Sequence, residues 1–214
     1  MAYDPPGVPV TGTVISVSSW GTKVRNTLLA TGVATVTTAG DIVYATAANA
    51  FARLAVGAAG TFLQSVSGLP AYKTLGVRKA ADETVSNSAA LQNDDELLAA
   101  VAASTKYQFT AYLRCSGDGT YDIKFSWTVP AGATVLWSAL GYGTAGVFGF
   151  YPSTDADPVP MGTNGATVVT VLFVGTVVVA GTAGNLQLQW AQNSAFATDT
   201  KVLANSHLEI AAIT

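Results

Sequence analysis

From Tyr107 to Val129 the chain alternates. Tyr107, Phe109, Ala111, Leu113 and Cys115 fall on one side of an extended backbone, with Gln108, Thr110, Tyr112 and Arg114 on the other. This period of two marks a half-buried strand. A second run places Tyr121, Ile123, Phe125, Trp127 and Val129 on one face and Asp122, Lys124, Ser126 and Thr128 on the opposite one. Gly117-Asp118-Gly119-Thr120 separates the two runs, so the spacing predicts a β-hairpin. Further strands are predicted over 134–140, which carries Trp137, and over 167–179 and 186–192 as the next pair. In the last of these Leu186, Leu188 and Trp190 point inward and Gln187 and Gln189 outward. Residues 141–150, GYGTAGVFGF, either continue the strand of Trp137 or cross to another sheet. A polar loop rich in Asp and Pro is predicted from Tyr151 to Gly165, and 201–213 closes the domain. Many short strands at regular spacing, with hardly a helix, predict an antiparallel β-sandwich of jelly-roll type over 76–214.

The texture before residue 76 is different. Residues 1–12 hold Pro5, Pro6, Gly7, Pro9 and Gly12, which disfavour regular structure and predict an extended arm. After a possible short strand over 13–17, Ser18 and Ser19 are good N-cap residues. Trp20, Val24 and Leu28 then recur at i, i+4 and i+8, which predicts a short helix ending near Gly32. From Ala39 to Leu75 the chain breaks into apolar pieces at 41–44, 51–56 and 61–66, cut by Gly40, Asn49, Gly57, Gly60, Gly68 and Pro70. None is long enough to build a core alone, and isolated short hairpins are marginal in water. The predicted organisation is an attachment arm over 1–38, a β-rich stalk module over 39–75 intertwined with neighbouring copies, and the sandwich over 76–214.

Gly40, Asp41, Tyr44, Asn49, Arg53, Leu54, Gly57, Gly60, Leu63, Gly68, Pro70 and Tyr72 follow a spaced pattern. It runs GD-hydrophobic-hydrophobic-Tyr, Ala-x-Asn-x-Phe-x-Arg-Leu, Gly-x-x-Gly-x-x-Leu and Gly-Leu-Pro-x-Tyr. The stretch resembles a module of bacteriophage tail-fibre and other virion surface proteins. The segment TGTVISVSSWGTKVRNTLLATG resembles the N-terminal attachment segments of such proteins, more weakly. TVPAGAT, WSALG and LQLQWAQN are similar to their terminal domains. The resemblance implies a non-enzymatic structural protein of the virion, assembled as a homotrimer and attached to other virion proteins through its N-terminus. Trp20, Val24 and Leu28 are the implied attachment residues. Tyr44, Phe51, Leu54 and Leu63 are the implied subunit contacts.

Composition supports an assembled protein. Charged residues make up 11% of the chain, against roughly a quarter in ordinary soluble domains, so a monomer is short of charge for its surface. Depletion of charge is the signature of surface covered by other subunits. The net charge of -3 and the lack of any Lys or Arg cluster remove the long-range attraction that nucleic-acid binding requires. Residues 1–7, MAYDPPG, are not expected to be a secretory signal. The most hydrophobic run, 166–181, is shorter than the roughly 20 residues of a membrane helix, and it reads as buried strand because it is rich in β-branched residues.

Candidate chemistry is sparse. His207 is the single histidine and Cys115 the single cysteine. Cys115 sits on the apolar face of its strand, where thiols are inert. Asp94-Asp95-Glu96 and Asp155/Asp157 lack the spacing of a calcium loop and read as solvated loops. No cofactor or metal is expected. Tyr142, Phe148, Phe150 and Tyr151 lie in or beside predicted loops, where aromatic rings either stack on a host-surface sugar or fill a subunit interface. Three readings stay open: a tail or tail-tip fibre, a capsid decoration or head fibre that stabilises the shell, and a carbohydrate-binding receptor module.

Overall fold

The computed structural model describes residues 36–48, 50–66, 68–74, 76–154 and 157–213. Residues 1–35 of the predicted arm, with its helix over Trp20, Val24 and Leu28, lie outside the described residues, as does Asp155. Two compact units divide the chain, Met1–Thr74 and Leu75–Thr214. All described regular structure is strand, and every pairing between strands is antiparallel.

The described residues of the first unit form two hairpins. Strand β1 (Ile42–Ala47) pairs with β2 (Ala50–Leu54), and β3 (Phe62–Val66) pairs with β4 (Leu69–Lys73). Turn glycines at Gly60 and Gly68 adopt φ of +81° and +82°, a region open to glycine and costly for other residues.

The second unit stacks two sheets. Its strands are β5 (Gly76–Arg78), β6 (Glu83–Val85), β7 (Gln92–Val101), β8 (Lys106–Gly117), β9 (Ile123–Thr128), β10 (Thr134–Tyr142), β11 (Phe148–Thr154), β12 (Val159–Met161), β13 (Gly165–Val178), β14 (Gly184–Gln192), β15 (Thr200–Val202) and β16 (His207–Ile213). The larger sheet runs β11-β10-β13-β8, and the free edge of β8 is shared by β15 with β6 and by β16 with β5. The smaller runs β12-β9-β14-β7. Rings from both sheets meet between them. Phe109 and Trp127 have centroids 4.8 Å apart, Phe125 and Phe173 are 5.1 Å apart, and all four are buried.

The apolar faces predicted from alternation are the faces observed, but Asp122 and Ser126, predicted to point outward, are buried as well. Phe109, Leu113, Cys115, Ile123, Phe125, Trp127, Leu186, Leu188 and Trp190 are all buried. The predicted partners are not. Strands β8 and β9 do not form a hairpin: β8 pairs with β13 in the larger sheet and β9 with β14 in the smaller. Residues 118–122 make a corner between sheets, in which the Asp118 carbonyl accepts the amides of Tyr121 and Asp122 and the hydroxyl of Thr163. Alternation fixes which side of a strand is apolar, and that side is buried equally well by facing a strand as by lying beside it. For the same reason 167–179 and 186–192 belong to opposite sheets.

The predicted loop 151–165 also needs correction. Strand β11 continues to Thr154, and β12 pairs Val159 and Met161 with Phe125 and Ile123, burying both. Pro160 between them sits on an edge strand, where a missing N–H is tolerated. Residues 141–150 turn back within one sheet as the β10–β11 hairpin.

Gly175 marks a close approach within the larger sheet. A Cβ there would lie 2.5 Å from Phe109 Cζ and 2.7 Å from the Leu136 carbonyl oxygen. Gly175→Ala is expected to cost about 1–3 kcal/mol through overpacking, measured as a lowered denaturant midpoint with unchanged slope.

Candidate interaction surfaces

In the first unit, the spaced pattern has a physical basis. Asp41 follows Gly40, whose φ of +91° turns the chain so that one carboxylate serves four partners. Asp41 Oδ2 accepts the amides of Thr37 (3.0 Å) and Thr38 (2.8 Å), Oδ1 accepts the amide of Val56 (3.1 Å), and the Arg53 guanidinium lies 2.7 Å from Oδ2. The carboxylate thus clasps both ends of the first hairpin. In the second hairpin, Gly57 leaves room for Tyr72: a Cβ at residue 57 would lie 2.6 Å from the ring.

Burial raises the Asp41 carboxyl, but the Arg53 hydrogen bond and the three backbone amides outweigh it and hold its pKa at about 2, below the ordinary 3.8. A depressed carboxylate stabilises the fold above its unfolded value and loses that contribution as pH falls through the folded value. The clasp is therefore expected to be intact at and above pH 4 and to open only toward pH 2. Hydrogen exchange at the amides of Thr37, Thr38 and Val56 measures this, and Asp41→Asn should open it at all pH values.

These hairpins have no core of their own. No hydrophobic residue among the described residues 36–74 is buried. Phe51, Phe62 and Leu63 are each more than half exposed, and Leu69 nearly so. Of the predicted subunit contacts, Phe51 and Leu63 are open, whereas Tyr44 and Leu54 are half-buried.

In the second unit, the two sheets differ on their outer faces. The small sheet presents Asn93, Lys124, Thr128, Gln187 and Gln189, and Gln189 Nε2 donates to Asn93 Oδ1 at 2.8 Å. The large sheet presents an apolar face: register places Leu136, Leu140, Tyr142, Phe148, Phe150, Val174 and Val178 on one side. Phe150 is 66% exposed, and the Tyr142 and Phe148 rings meet edge to face with centroids 5.4 Å apart. A groove of about 960 Å³ beside this cluster is lined by Gln108, Leu136, Ser153, Asp157, Val174 and Thr176, among others.

All four predicted aromatic positions stand on strands β10 and β11, Tyr142 and Phe148 beside the turn that joins them. Tyr151 points the other way and packs against the core, where its hydroxyl accepts the Gly143 amide (3.1 Å) and donates to the Val147 carbonyl. It pins the hairpin tip, half-buried on the face opposite Phe148 and Phe150. His207 stacks on Tyr112 with centroids 5.5 Å apart. Cys115 is a free, fully buried thiol, and burial and then the Asp94 charge push its pKa up.

The acidic triplet is the largest departure from the sequence reading. Asp94, Asp95 and Glu96 lie on β7, not in a loop, and Asp94 is fully buried. A bulge in β7 causes this: Leu98 pairs with Gln187 and Asn93 with Gln189, leaving extra residues between. Asp94 Oδ1 accepts the bulge amides of Glu96 (3.0 Å) and Leu97 (2.8 Å). Its Oδ2 meets the Nζ of Lys79 at 3.0 Å, and that side chain is 1% exposed. Lys79 Nζ also reaches Glu83 Oε2 at 2.6 Å and Glu96 Oε2 at 3.7 Å. Sequence reasoning passed over Lys79. The available signal was a lysine followed within 17 residues by five of the chain's acidic side chains, Asp82, Glu83, Asp94, Asp95 and Glu96. Among the described residues no cluster has the ligands for a metal ion.

No protein-family model matches the chain, and no curated protein does. Among solved structures, a mutant VP2 protein of infectious bursal disease virus is 12% identical over 76% of this chain and 45% of its own, with a TM-score of 0.16. The structure of the Gx strain of the same virus is 11% identical over 76% of this chain and 47% of its own, with a TM-score of 0.15. This chain thus spans less than half the length of those chains, and at such scores the likeness carries no argument about fold or function.

Proposed function

We propose that this chain is a non-enzymatic structural protein of a virion surface, a homotrimeric tail or tail-tip fibre. Residues 1–38 attach it to other virion proteins, and residues 39–75 of three copies wrap into a stalk. The observation that carries this reading is the coreless first unit: a clasp of four partners on Asp41 specifies its hairpins, yet Phe51, Phe62 and Leu63 stay open to solvent. Copies of the same module are the surface that fits them, because each supplies the same apolar residues at the same height.

The C-terminal unit is read as a jelly roll. Taken in chain order, β7 to β14 give β12-β9-β14-β7 in one sheet and β11-β10-β13-β8 in the other, the interleaving that two nested Greek keys produce. The apolar outer face of the larger sheet suits a subunit contact, with Tyr142, Phe148 and Phe150 as its aromatic centre.

Antibody labelling of particles in the electron microscope tests the assignment. A few copies at the tail are expected. Many copies over the head would replace it with the decoration reading, and absence from particles would overturn both.

A further inference from the structure

We propose that Lys79 and Asp94 become joined by an intramolecular amide bond that the folded domain forms unaided, with Glu83 as the catalytic proton carrier. The inference is independent of the proposed function and rests on the geometry of three side chains.

A lysine amine and a carboxyl group in water do not condense, because both are solvated as ions and water is in excess. Here both are withdrawn from water, Lys79 being 1% and Asp94 0% exposed. Lys79 Nζ lies 3.0 Å from Asp94 Oδ2, so the amine is held against the carboxyl group whose Cγ it would attack. The amides of Glu96 and Leu97 donate to Asp94 Oδ1, the oxygen that carries negative charge when the amine adds to the carboxyl carbon. Preorganised backbone donors at that position are the usual means of stabilising such an adduct. Glu83 lies 2.6 Å from Nζ, and Gln92 Nε2 (2.7 Å) and the Asp95 amide (3.3 Å) fix its carboxylate.

The step balances. Glu83 takes one proton from the Lys79 ammonium, and the free amine adds to Asp94 Cγ. Glu83 returns that proton to Oδ2, a second proton follows from the nitrogen, and Oδ2 leaves as water. The Nζ–Cγ bond forms as the Cγ–Oδ2 bond breaks, and one ammonium and one carboxylate become one amide. No oxidant or added cofactor is required. Burial lowers the affinity of Lys79 for its proton, but the hydrogen bonds and charges of Glu83 and Asp94 outweigh this and hold the amine charged. The groups facing it are Glu83, Asp94 and Glu96, with Cys115 within reach of the Asp94 charge. Formation is therefore slow at neutral pH and faster as pH rises. The bond would fix residue 79, near the start of the second unit, to β7, so that tension arriving from the N-terminal side bypasses β6.

Intact mass spectrometry of the purified full-length chain, before and after prolonged incubation at mildly alkaline pH, tests the proposal. A mass lower than the sequence by one water is expected, together with a branched peptide linking residues 79 and 94 after proteolysis. Lys79→Arg keeps the charge and should retain the full mass. Asp94→Asn should lose ammonia in place of water, and Glu83→Gln should slow the change. Full sequence mass in the folded wild-type chain after incubation would overturn the proposal. So would a water loss that persists in Lys79→Arg, as cyclisation at Asp118-Gly119 would give.

Discussion

Phe125→Asp leaves no folded second unit. Phe125 is fully buried, it meets Phe173 edge to face at 5.1 Å, and its strand is flanked by β12 and β14 in the small sheet. Removing the ring costs about 3–5 kcal/mol in lost burial and cavity, and a carboxylate without a partner in the same space adds several more. Together these approach the entire stability of a domain, about 5–15 kcal/mol. Circular dichroism and solubility of the variant measure the loss. Lys124→Ala, one residue earlier on the outward face, is expected to stay within about 0.5 kcal/mol of wild type. Equal tolerance at both positions would contradict the register of β9.

Lys79→Met is the second large effect. Methionine fills much of the space of the lysine stem, so the measured loss isolates the charge. Removing the ammonium strands the carboxylates of Asp94 and Glu83, of which Asp94 has no exposed surface. Breaking a buried ion pair from one side costs about 3–5 kcal/mol. The sign with pH follows from the raised affinity of Lys79 for its proton: its contribution is complete below the ordinary value of 10.5 and is lost only as pH climbs through the higher folded value. In freshly prepared wild-type protein, whose mass shows Lys79 still a free amine, stability from this group is therefore flat through neutrality and falls at the alkaline end. Chemical denaturation of both proteins from pH 6 upward checks the size and the slope, and the alkaline decline should be missing in Lys79→Met.

What the sequence disclosed follows from what local pattern can encode. A period of two states which side of a strand is apolar, and Phe109, Trp127 and Trp190 are buried accordingly. It says nothing about the neighbouring strand. The partner of Thr110 is Val174, far along the chain, and no residue near Thr110 announces it. An Asp-Gly turn between two alternating runs therefore reads as a hairpin when it is a corner between sheets. The residues of the first unit's clasp, Gly40, Asp41 and Arg53, stood out in the spaced pattern, but their contact was not read from it; they lie within 13 residues of one another. The burial of Asp94 was not legible, because it depends on a bulge in β7 and on an amine that arrives from another strand connection. Three acidic residues in a row ordinarily belong in water, and only the tertiary partner reverses that. That Tyr151 faces away from Phe148 and Phe150 was not legible for a smaller reason, since the position of the β10–β11 turn decides which rings of 148–151 share a face.

The central claim is that the first unit is completed by other copies of the same chain. Light scattering coupled to size-exclusion chromatography of the full-length protein at micromolar concentration addresses it most directly. A particle of three times the 21.8 kDa chain mass, persisting on dilution until the protein unfolds, is the predicted result, and a stable monomer with Phe51, Phe62 and Leu63 open to solvent would contradict it.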